Sequence, residues 1–559
     1  MSKKLIIVGG VAGGATAAAR ARRLDEDARI IVLERSPHIA FANCGLPYHI
    51  GGEIPERDTL LVQTVEAMTA RFNLDIRTQS EVLSIDRDAK TVRVFEIETQ
   101  REYDESYGDL LLSPGALPLR PPIPGVDHPA IHTLRNMVDM DRLKHAVDAN
   151  AESAIVVGGG FIGLEVAENL KRRGLDVTVV ERLRQVMPNL DAEVAEPLHQ
   201  ELARRDVRLL LESGVTRFAN NAGRVRVELA SGETLDADLV VLSVGVQPDT
   251  QIARDAGLEL NARGAIIVDA HMRTSDPHIY AVGDAVQVAD AVLGGATMIP
   301  LAGPANRQAR TAADNIFGRD STYRGSLGTS IVRVFERTAA TTGASEKTLQ
   351  RAQVPCRKIY VHRDQHVGYF PGAESMMIKL LFAPDDGRVL GAQIVGGEGV
   401  DKRIDVLAVA IQAGMTVADL EHVELAYAPQ YGAAKDPINI AGFVASNTLR
   451  GDVELVFAEQ LNGDAGEEWT LVDVRSAEEF QAGHLPGALH IPLAELRRRW
   501  EEIPRDKPIA VYCAVGQRSY YANRILTAKG VASRNLAGGL NTYRLVHPPE
   551  PVPEEATRD

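Results

Sequence analysis

Cys44, Cys356 and Cys513 are the only cysteines among 559 residues, and two of them stand in settings suited to chemistry. Cys44 lies in Phe41-Ala42-Asn43-Cys44-Gly45-Leu46-Pro47-Tyr48. A thiolate attacks a disulfide or persulfide sulfur only when it is ionised and reachable. Gly45 and Pro47 predict a break in regular helix that keeps this sulfur out of side-chain packing, and a helix N-terminus close by would stabilise the anion. Cys513 follows the apolar run Ile509-Ala510-Val511-Tyr512 and opens Ala514-Val515-Gly516-Gln517-Arg518-Ser519. A loop folded around one sulfur aims several backbone N–H groups at it and so holds a persulfide anion, to which Arg518 adds positive charge. Cys356, beside Pro355, has no such setting and reads as structural. The cysteines are too few and too scattered for a disulfide framework or a zinc site. They imply thiol chemistry in a reducing cytoplasm, with no metal.

The elements that must position Cys44 come in two copies. Leu5-Ile6-Ile7-Val8 reads as a strand, Gly9-Gly10-Val11-Ala12-Gly13-Gly14 as a turn, and the Ala-rich stretch to about Leu24 as a helix; Arg29 to Leu33 is a second strand, closed by Glu34. Glycines bring backbone N–H groups against a pyrophosphate at the helix N-terminus, and the closing acid accepts from ribose hydroxyls. The middle glycine of G-x-G-x-x-G is Val11 here. The second copy matches fully: Ala154 to Val157, then Gly158-Gly159-Gly160-Phe161-Ile162-Gly163, a helix through Leu170, and the strand Asp176 to Val180 closed by Glu181. Two dinucleotides are therefore expected. Glu181 favours NADH by repelling the 2′-phosphate of NADPH, a preference that Arg182 and Arg184 soften, so NADPH stays open.

The length predicts about three to four domains at ~150 residues each. A net charge of −15 gives no hint of nucleic-acid binding. The apolar run from Leu5 to Ala19 is interrupted by Gly9, Gly10, Gly13 and Gly14, unlike a secretory leader, and nothing later offers the ~18 apolar residues of a membrane span.

With both glycine loops in place, the chain resembles the flavoprotein disulfide reductase superfamily. Leu110 to Ala116, with Ser113-Pro114-Gly115, and Leu239 to Gly245 are similar to its crossover strands, and Thr274 to Asp284 is similar to its second FAD motif, in which Gly283 and Asp284 meet the ribityl chain. The resemblance implies FAD in the first copy and NADH in the second, with Phe161 gating the nicotinamide and Glu165 orienting it. Classical members carry a cysteine pair, whereas Cys44 stands alone, as in the peroxidase, oxidase and coenzyme A disulfide reductase branches. The peroxidase branch has a histidine in the first loop where this chain has Ala12 or its neighbours. Ala40 to Tyr48, followed by Gly51-Gly52, is close to the coenzyme A disulfide reductase signature, with Ala40 replacing a serine. That branch implies coenzyme A as substrate, held by Arg20 and Arg23 one helix turn apart, with Asn43, Arg71, Asn306 and Lys435.

Residues from about 323 resemble the superfamily's dimerisation domain, which implies a homodimer with active sites shared between subunits. Tyr369 and Tyr427 fall where such reductases carry proton donors. Trp469 to Arg475, Gly483-His484-Leu485-Pro486-Gly487-Ala488 and the Cys513 loop resemble a rhodanese domain, with Arg518 as a substrate contact. The expected fold class is α/β. It comprises a discontinuous FAD domain (1–118 and 250–322), an NAD(P)H domain (119–249), an α+β dimerisation domain (323–446), a linker (447–466) and an α/β rhodanese domain (467–550). The expected function is NAD(P)H-dependent reduction, through FAD and Cys44, of coenzyme A disulfide and of coenzyme A or other small-thiol persulfides, with sulfane sulfur delivered by Cys513. Alternatives are a rhodanese sulfurtransferase reset by the flavin unit, a rhodanese tail that only recruits a partner, and an NADH peroxidase.

Overall fold

The computed structural model describes residues 3–461 and 468–548. They form two compact units, drawn from 1–186 with 205–328 and from 187–204 with 329–559. In the first, Leu5, Ile6 and Ile7 are all fully buried. An unbroken apolar run suits a strand covered on both faces, as in a parallel sheet flanked by helices. Lys4–Val8 is accordingly the middle strand of a five-stranded parallel sheet in the order Ile279–Ala281, Asp109–Leu112, Lys4–Val8, Arg29–Leu33, Asp75–Arg77. Each such aliphatic side chain contributes about 1.5–3 kcal/mol by its burial. A second parallel sheet repeats the plan in the order Arg208–Leu210, Asp176–Val180, Ser153–Val157, Leu239–Leu242, Ile131–His132. Beyond the two expected crossover strands, Ala116–Pro118 and Val246–Pro248 pair antiparallel. Two three-stranded antiparallel sheets, within 80–106 and 215–237, and a mixed one of Ile266–Ile267, Val286–Ala289 and Ala296–Thr297 also belong to this unit.

The second unit holds an antiparallel sheet in the order Ser330–Val334, Arg337–Gly343, Val389–Gly396, Ser375–Phe382, Arg357–Asp364. Every residue of Val389–Gly396 is buried, under the helices Val400–Gln412 and Ala192–Arg204. Residues 187–204, expected inside the NAD(P)H domain, cluster here, with Val194, Ala195, Leu198 and Leu202 fully buried and a charge cluster beside them. Lys379, at 0 % exposure in the middle of Ser375–Phe382, places its Nζ 2.6 Å from Glu193, 2.6 Å from Glu346 and 2.9 Å from Asp191. Tyr360 donates to the same Glu193 at 2.7 Å. The ammonium supplies the positive charge that three clustered carboxylates would otherwise take from a metal ion.

A parallel sheet follows in the order Leu455–Val456, Arg534–Leu536, Ile509–Tyr512, Thr470–Asp473, Leu489–His490. Its edge strand Leu455–Val456 lies within the stretch expected as a linker. Val456 is fully buried, but charged neighbours hid so short a strand in the sequence. Residues 462–466 of that linker, and 467 and 549–550 of the expected rhodanese domain, lie outside the described residues.

Candidate active site

Each of the first two parallel sheets ends its middle strand in a glycine turn and a helix, Ala12–Arg22 or Phe161–Arg172. In both, the acid closing the neighbouring strand folds back on the turn. Glu34 accepts the Gly10 N–H and the Ser36 N–H, each at 2.8 Å. Glu181 accepts those of Gly159 at 2.7 Å and Leu183 at 2.8 Å. Carboxylates fixed this way keep further lone pairs for ribose hydroxyls. The glycines serve two purposes. Gly158 has φ of 109°, and a Cβ there would stand 2.4 Å from the Ser243 carbonyl oxygen, so the fold itself requires glycine. A Cβ on Gly160 would meet no protein atom within 4 Å. Its space lies at a helix N-terminus and fits a pyrophosphate. In the first copy the matching residue is Val11, the N-cap.

Ser113 closes the first loop from the side, its Oγ 2.7 Å from where a Gly13 Cβ would be. Asp284 lies on the short turn Gly283–Ala285. Burial pushes its carboxyl up, against the pull of Arg135, which also donates to the Pro114 carbonyl at 3.3 Å. A half-buried acid and a guanidinium beside the glycine loop fit the polar chain and pyrophosphate of FAD.

Cys44 is exposed on a single 3-10 turn, Asn43–Gly45, that runs into the helix Leu46–Gly51. The sulfur thus stays outside regular helix and out of side-chain packing, as expected; Pro47 opens the short helix that follows, since a first-turn proline gives up no hydrogen bond. Asn43 is exposed beside the cysteine. From the new helix, Tyr48 donates to Glu165 Oε1 at 3.3 Å. Burial pushes Glu165 up to about 7, the Tyr48 bond pulls the other way, and nearby Glu168 pushes up again. Phe161 starts the same helix one turn earlier.

The helices Ala12–Arg22 and Ala302–Ile316 pack together. Thr16 donates to Asn306 Oδ1 at 2.6 Å, and Arg20 pairs with Asp314 at 2.6 Å. Arg20 is thus committed to Asp314, whereas the sequence suggested a projecting pair with Arg23. The carboxylate that claims it lies 294 residues further on, which helix spacing could not reveal. Arg23 and Arg71 are exposed, and the Arg23 guanidinium stands over the Phe72 ring at 5.9 Å.

In the second unit the hydroxyls of Tyr369 and Tyr427 meet at 3.3 Å across 58 residues of sequence. Their side chains are 75 % and 48 % exposed. The bond to Tyr427 pushes the Tyr369 phenol up. A buried ion pair supports the two loops: Arg403 bonds Asp436 and the Gln365 carbonyl, both at 2.7 Å. Lys435 is exposed immediately before Asp436. Cys513 is fully buried at the end of Ile509–Tyr512. Its sulfur accepts from the Gly516 N–H at 3.2 Å and the Ser519 hydroxyl at 3.4 Å. Arg518 is held by Glu479 through two bonds, at 2.6 and 2.7 Å.

This geometry can be set beside known proteins. Residues 3–309 match the pyridine nucleotide-disulphide oxidoreductase family. The chain belongs to this family. Residues 329–436 match the family's dimerisation domain, and residues 457–545 a rhodanese-like domain. A coenzyme A disulfide reductase of Staphylococcus aureus is 34% identical over 444 residues, 79% of this chain and 99% of the relative. Among solved structures, reduced Bacillus anthracis CoADR-RHD is 49% identical with a TM-score of 0.96, covering 98% of this chain and 99% of its own. An NAD-dependent persulfide reductase from A. fulgidus is 37% identical with a TM-score of 0.91, covering 96% and 99%.

As a member of this oxidoreductase family, the chain carries site features that its sequence did not disclose. Thr16 and Tyr48 were missed because each acts through a partner distant in sequence. Glu479 left a signal in Ser476-x-x-Glu479, a capping box that the structure contains, but nothing local announced that its carboxylate also meets Arg518. The Lys379 cluster left a weaker one, a lysine inside a continuous apolar strand.

Proposed function

We propose that this chain is a flavoprotein that uses NAD(P)H to reduce coenzyme A disulfide and the persulfides of coenzyme A and other small thiols, releasing thiol and sulfide. One observation carries the reading: a lone exposed cysteine, Cys44, in a unit that also holds two dinucleotide-binding loops. FAD, when bound at the Glu34 loop, supplies two-electron passage between nicotinamide and sulfur. The Cys44 thiolate attacks one sulfur of the substrate S–S bond, forming a mixed disulfide and releasing coenzyme A thiolate or hydrosulfide. Phe161 and Glu165 orient the nicotinamide, and Glu181 selects NADH. Ser113, Gly115, Gly283 and Asp284 belong to the FAD contacts. Arg23, Arg71, Asn43 and Lys435 meet the phosphorylated substrate, with Asn306 held in place by Thr16.

The dimerisation domain pairs two copies, and the partner subunit's Tyr369 and the partner subunit's Tyr427 protonate the thiolate leaving Cys44. A phenol that shares its proton with a second phenol is suited to that delivery. Cys513 carries sulfane sulfur to the thiol that Cys44 then relieves of it. Free thiols at all three cysteines fit a cytoplasmic setting.

The test is anaerobic, with wild type, Cys44→Ser and Cys513→Ser each given NADH and either coenzyme A disulfide or coenzyme A persulfide. Cys44→Ser should abolish NADH loss and sulfide release with both substrates, while Cys513→Ser keeps both. Persistent turnover in Cys44→Ser would refute the reading.

A further inference from the structure

Two arginines beside the Cys513 loop, Arg475 and Arg518, are each paired with a carboxylate. Thr470–Asp473 and Ile509–Tyr512 lie side by side with Asp473 opposite Tyr512. Arg475 and Cys513 therefore leave the same carboxyl edge of the sheet. Arg475 is spent there: it bonds both oxygens of Asp473 at 2.6–3.0 Å and the Gly483 carbonyl at 2.8 Å. Arg518, the second residue of the helix Gln517–Ala528, interacts with the Cys513 sulfur and forms its bidentate pair with Glu479. Glu479 is itself fixed, since its carboxylate also accepts the Ser476 N–H at 3.1 Å in the capping box. The Arg518 bonds hold its carboxyl down at about 2, so it stays ionised wherever the protein is folded and active. Beside this charge-neutralised Arg518–Glu479 pair, the groups that hold a sulfur anion are uncharged: the Gly516 N–H, the Ser519 hydroxyl and the start of the helix.

Thiosulfate brings two negative charges and expels sulfite with two, and recognising such a group calls for free guanidinium donors. A small-thiol persulfide brings at most one charge at its sulfur end and leaves as a thiolate. We infer that Glu479 selects the sulfur donor of this domain: by neutralising Arg518 it admits thiol-bound persulfides and disfavours thiosulfate. The favoured step balances as Cys513–S⁻ plus R–S–SH giving Cys513–S–SH plus R–S⁻. The donor S–S bond breaks as the new one forms, and the electron pair departs with the thiolate. Glu479 acts through Arg518 and is a specificity-determining residue, not a catalytic one. The inference rests on the reading that Cys513 carries sulfane sulfur.

The test uses the full chain without NADH and follows sulfur loading of Cys513, trapped as thiocyanate by cyanide, from thiosulfate or from coenzyme A persulfide. Glu479→Gln keeps a capping-box side chain while removing the charge. It should raise kcat/KM for thiosulfate at least tenfold, mainly through a lower KM, and change that for coenzyme A persulfide less than threefold. Glu479→Asp, which keeps the charge, should keep the wild-type preference. In the wild type, with no substitution at all, the thiosulfate KM should fall or stay level as salt rises, because screening weakens repulsion. Equal gains for both donors, no gain for thiosulfate, or a wild-type thiosulfate KM that climbs with salt would overturn the inference. NADH-driven sulfide release by Cys513→Ser reports on the flavin half separately, so failure of either reading is seen apart from the other.

Discussion

Replacing Lys379 by methionine tests whether the buried charge cluster holds the second unit together. The ammonium touches three carboxylates at 2.6–2.9 Å with no exposure to water. At an effective dielectric of about 20, each contact is worth about 6 kcal/mol of attraction. The carboxylate oxygens lie within 4.8 Å of one another, so each of their three pairs repels by at least about 3.5 kcal/mol. Attraction then exceeds repulsion by at most about 8 kcal/mol, from which desolvating the ammonium subtracts several. The remainder agrees with the ~3–5 kcal/mol lost when a buried pair is broken.

Lys379→Met should therefore lower the melting temperature of this unit by about 10 °C at pH 8, at roughly 2–4 °C per kcal/mol. The pH dependence carries the sign. Burial pushes Glu193 up, but the charge and bond of Lys379 hold its carboxyl below the usual carboxylate range. In the wild type its stabilisation is present above the unfolded pKa and is lost as pH falls through the folded one. In the variant the stranded carboxylates are raised instead and take up protons on mild acidification, so the gap in stability should narrow between pH 8 and pH 5. Calorimetry across that range decides the matter. A gap that does not change with pH, or a variant as stable as the wild type, would refute the electrostatic account.

Other expectations follow from single contacts. Glu165, raised to about 7, is neutral below that pH and charged above it, so reduction of the flavin by NADH should show a titration near pH 7 that Glu165→Gln abolishes in stopped-flow traces. Tyr369→Phe and Tyr427→Phe should each slow coenzyme A disulfide reduction by about 10²-fold, and the double variant should be little worse than the poorer single one, because the bonded phenols act as one donor. Burial pushes His362 down to about 4, and its ring bonds Thr542 at 2.7 Å. The neutral form is the folded one, so stability falls as pH drops from 6.5 towards 4. The protection of Gly539–Val546 against hydrogen exchange, taken relative to the intrinsic rate at each pH, should fall over that window in the wild type and stay level in His362→Gln.

What was legible in the sequence was what is local. The strand, glycine turn and closing acid of each dinucleotide loop are contiguous, and their geometry follows from backbone sterics and one returning hydrogen bond. The Cys513 loop is likewise a single strand-to-helix turn. Arg20 was misjudged because helix spacing says which residues share a face, not which charge from a distant helix meets them. The helix that Pro47 opens was not legible, because one residue type both ends and begins helices, and only the capping geometry tells which. Leu455–Val456 went unseen because the apolar run Leu455-Val456-Phe457-Ala458, between Glu454 and Glu459, is too short to carry a periodicity; its partner strand, 80 residues on, makes it a strand.

The two reactive sulfurs show how the same element is put to different uses by its supports. Cys44 stands exposed ahead of a short helix, in a unit where Arg23 and Arg71 are exposed as well. That suits a large, phosphorylated substrate approaching from outside. Cys513 is enclosed by its own loop, and Arg475 and Arg518 beside it are matched by Asp473 and Glu479. Such a site stabilises one added sulfur atom by hydrogen bonds from the loop and offers little to a second negative charge. An anionic substrate is thus favoured at the first sulfur and disfavoured at the second, and the only carrier that satisfies both is a thiol whose charge lies far from its sulfur. Coenzyme A, with its phosphates at the opposite end from the thiol, is such a carrier.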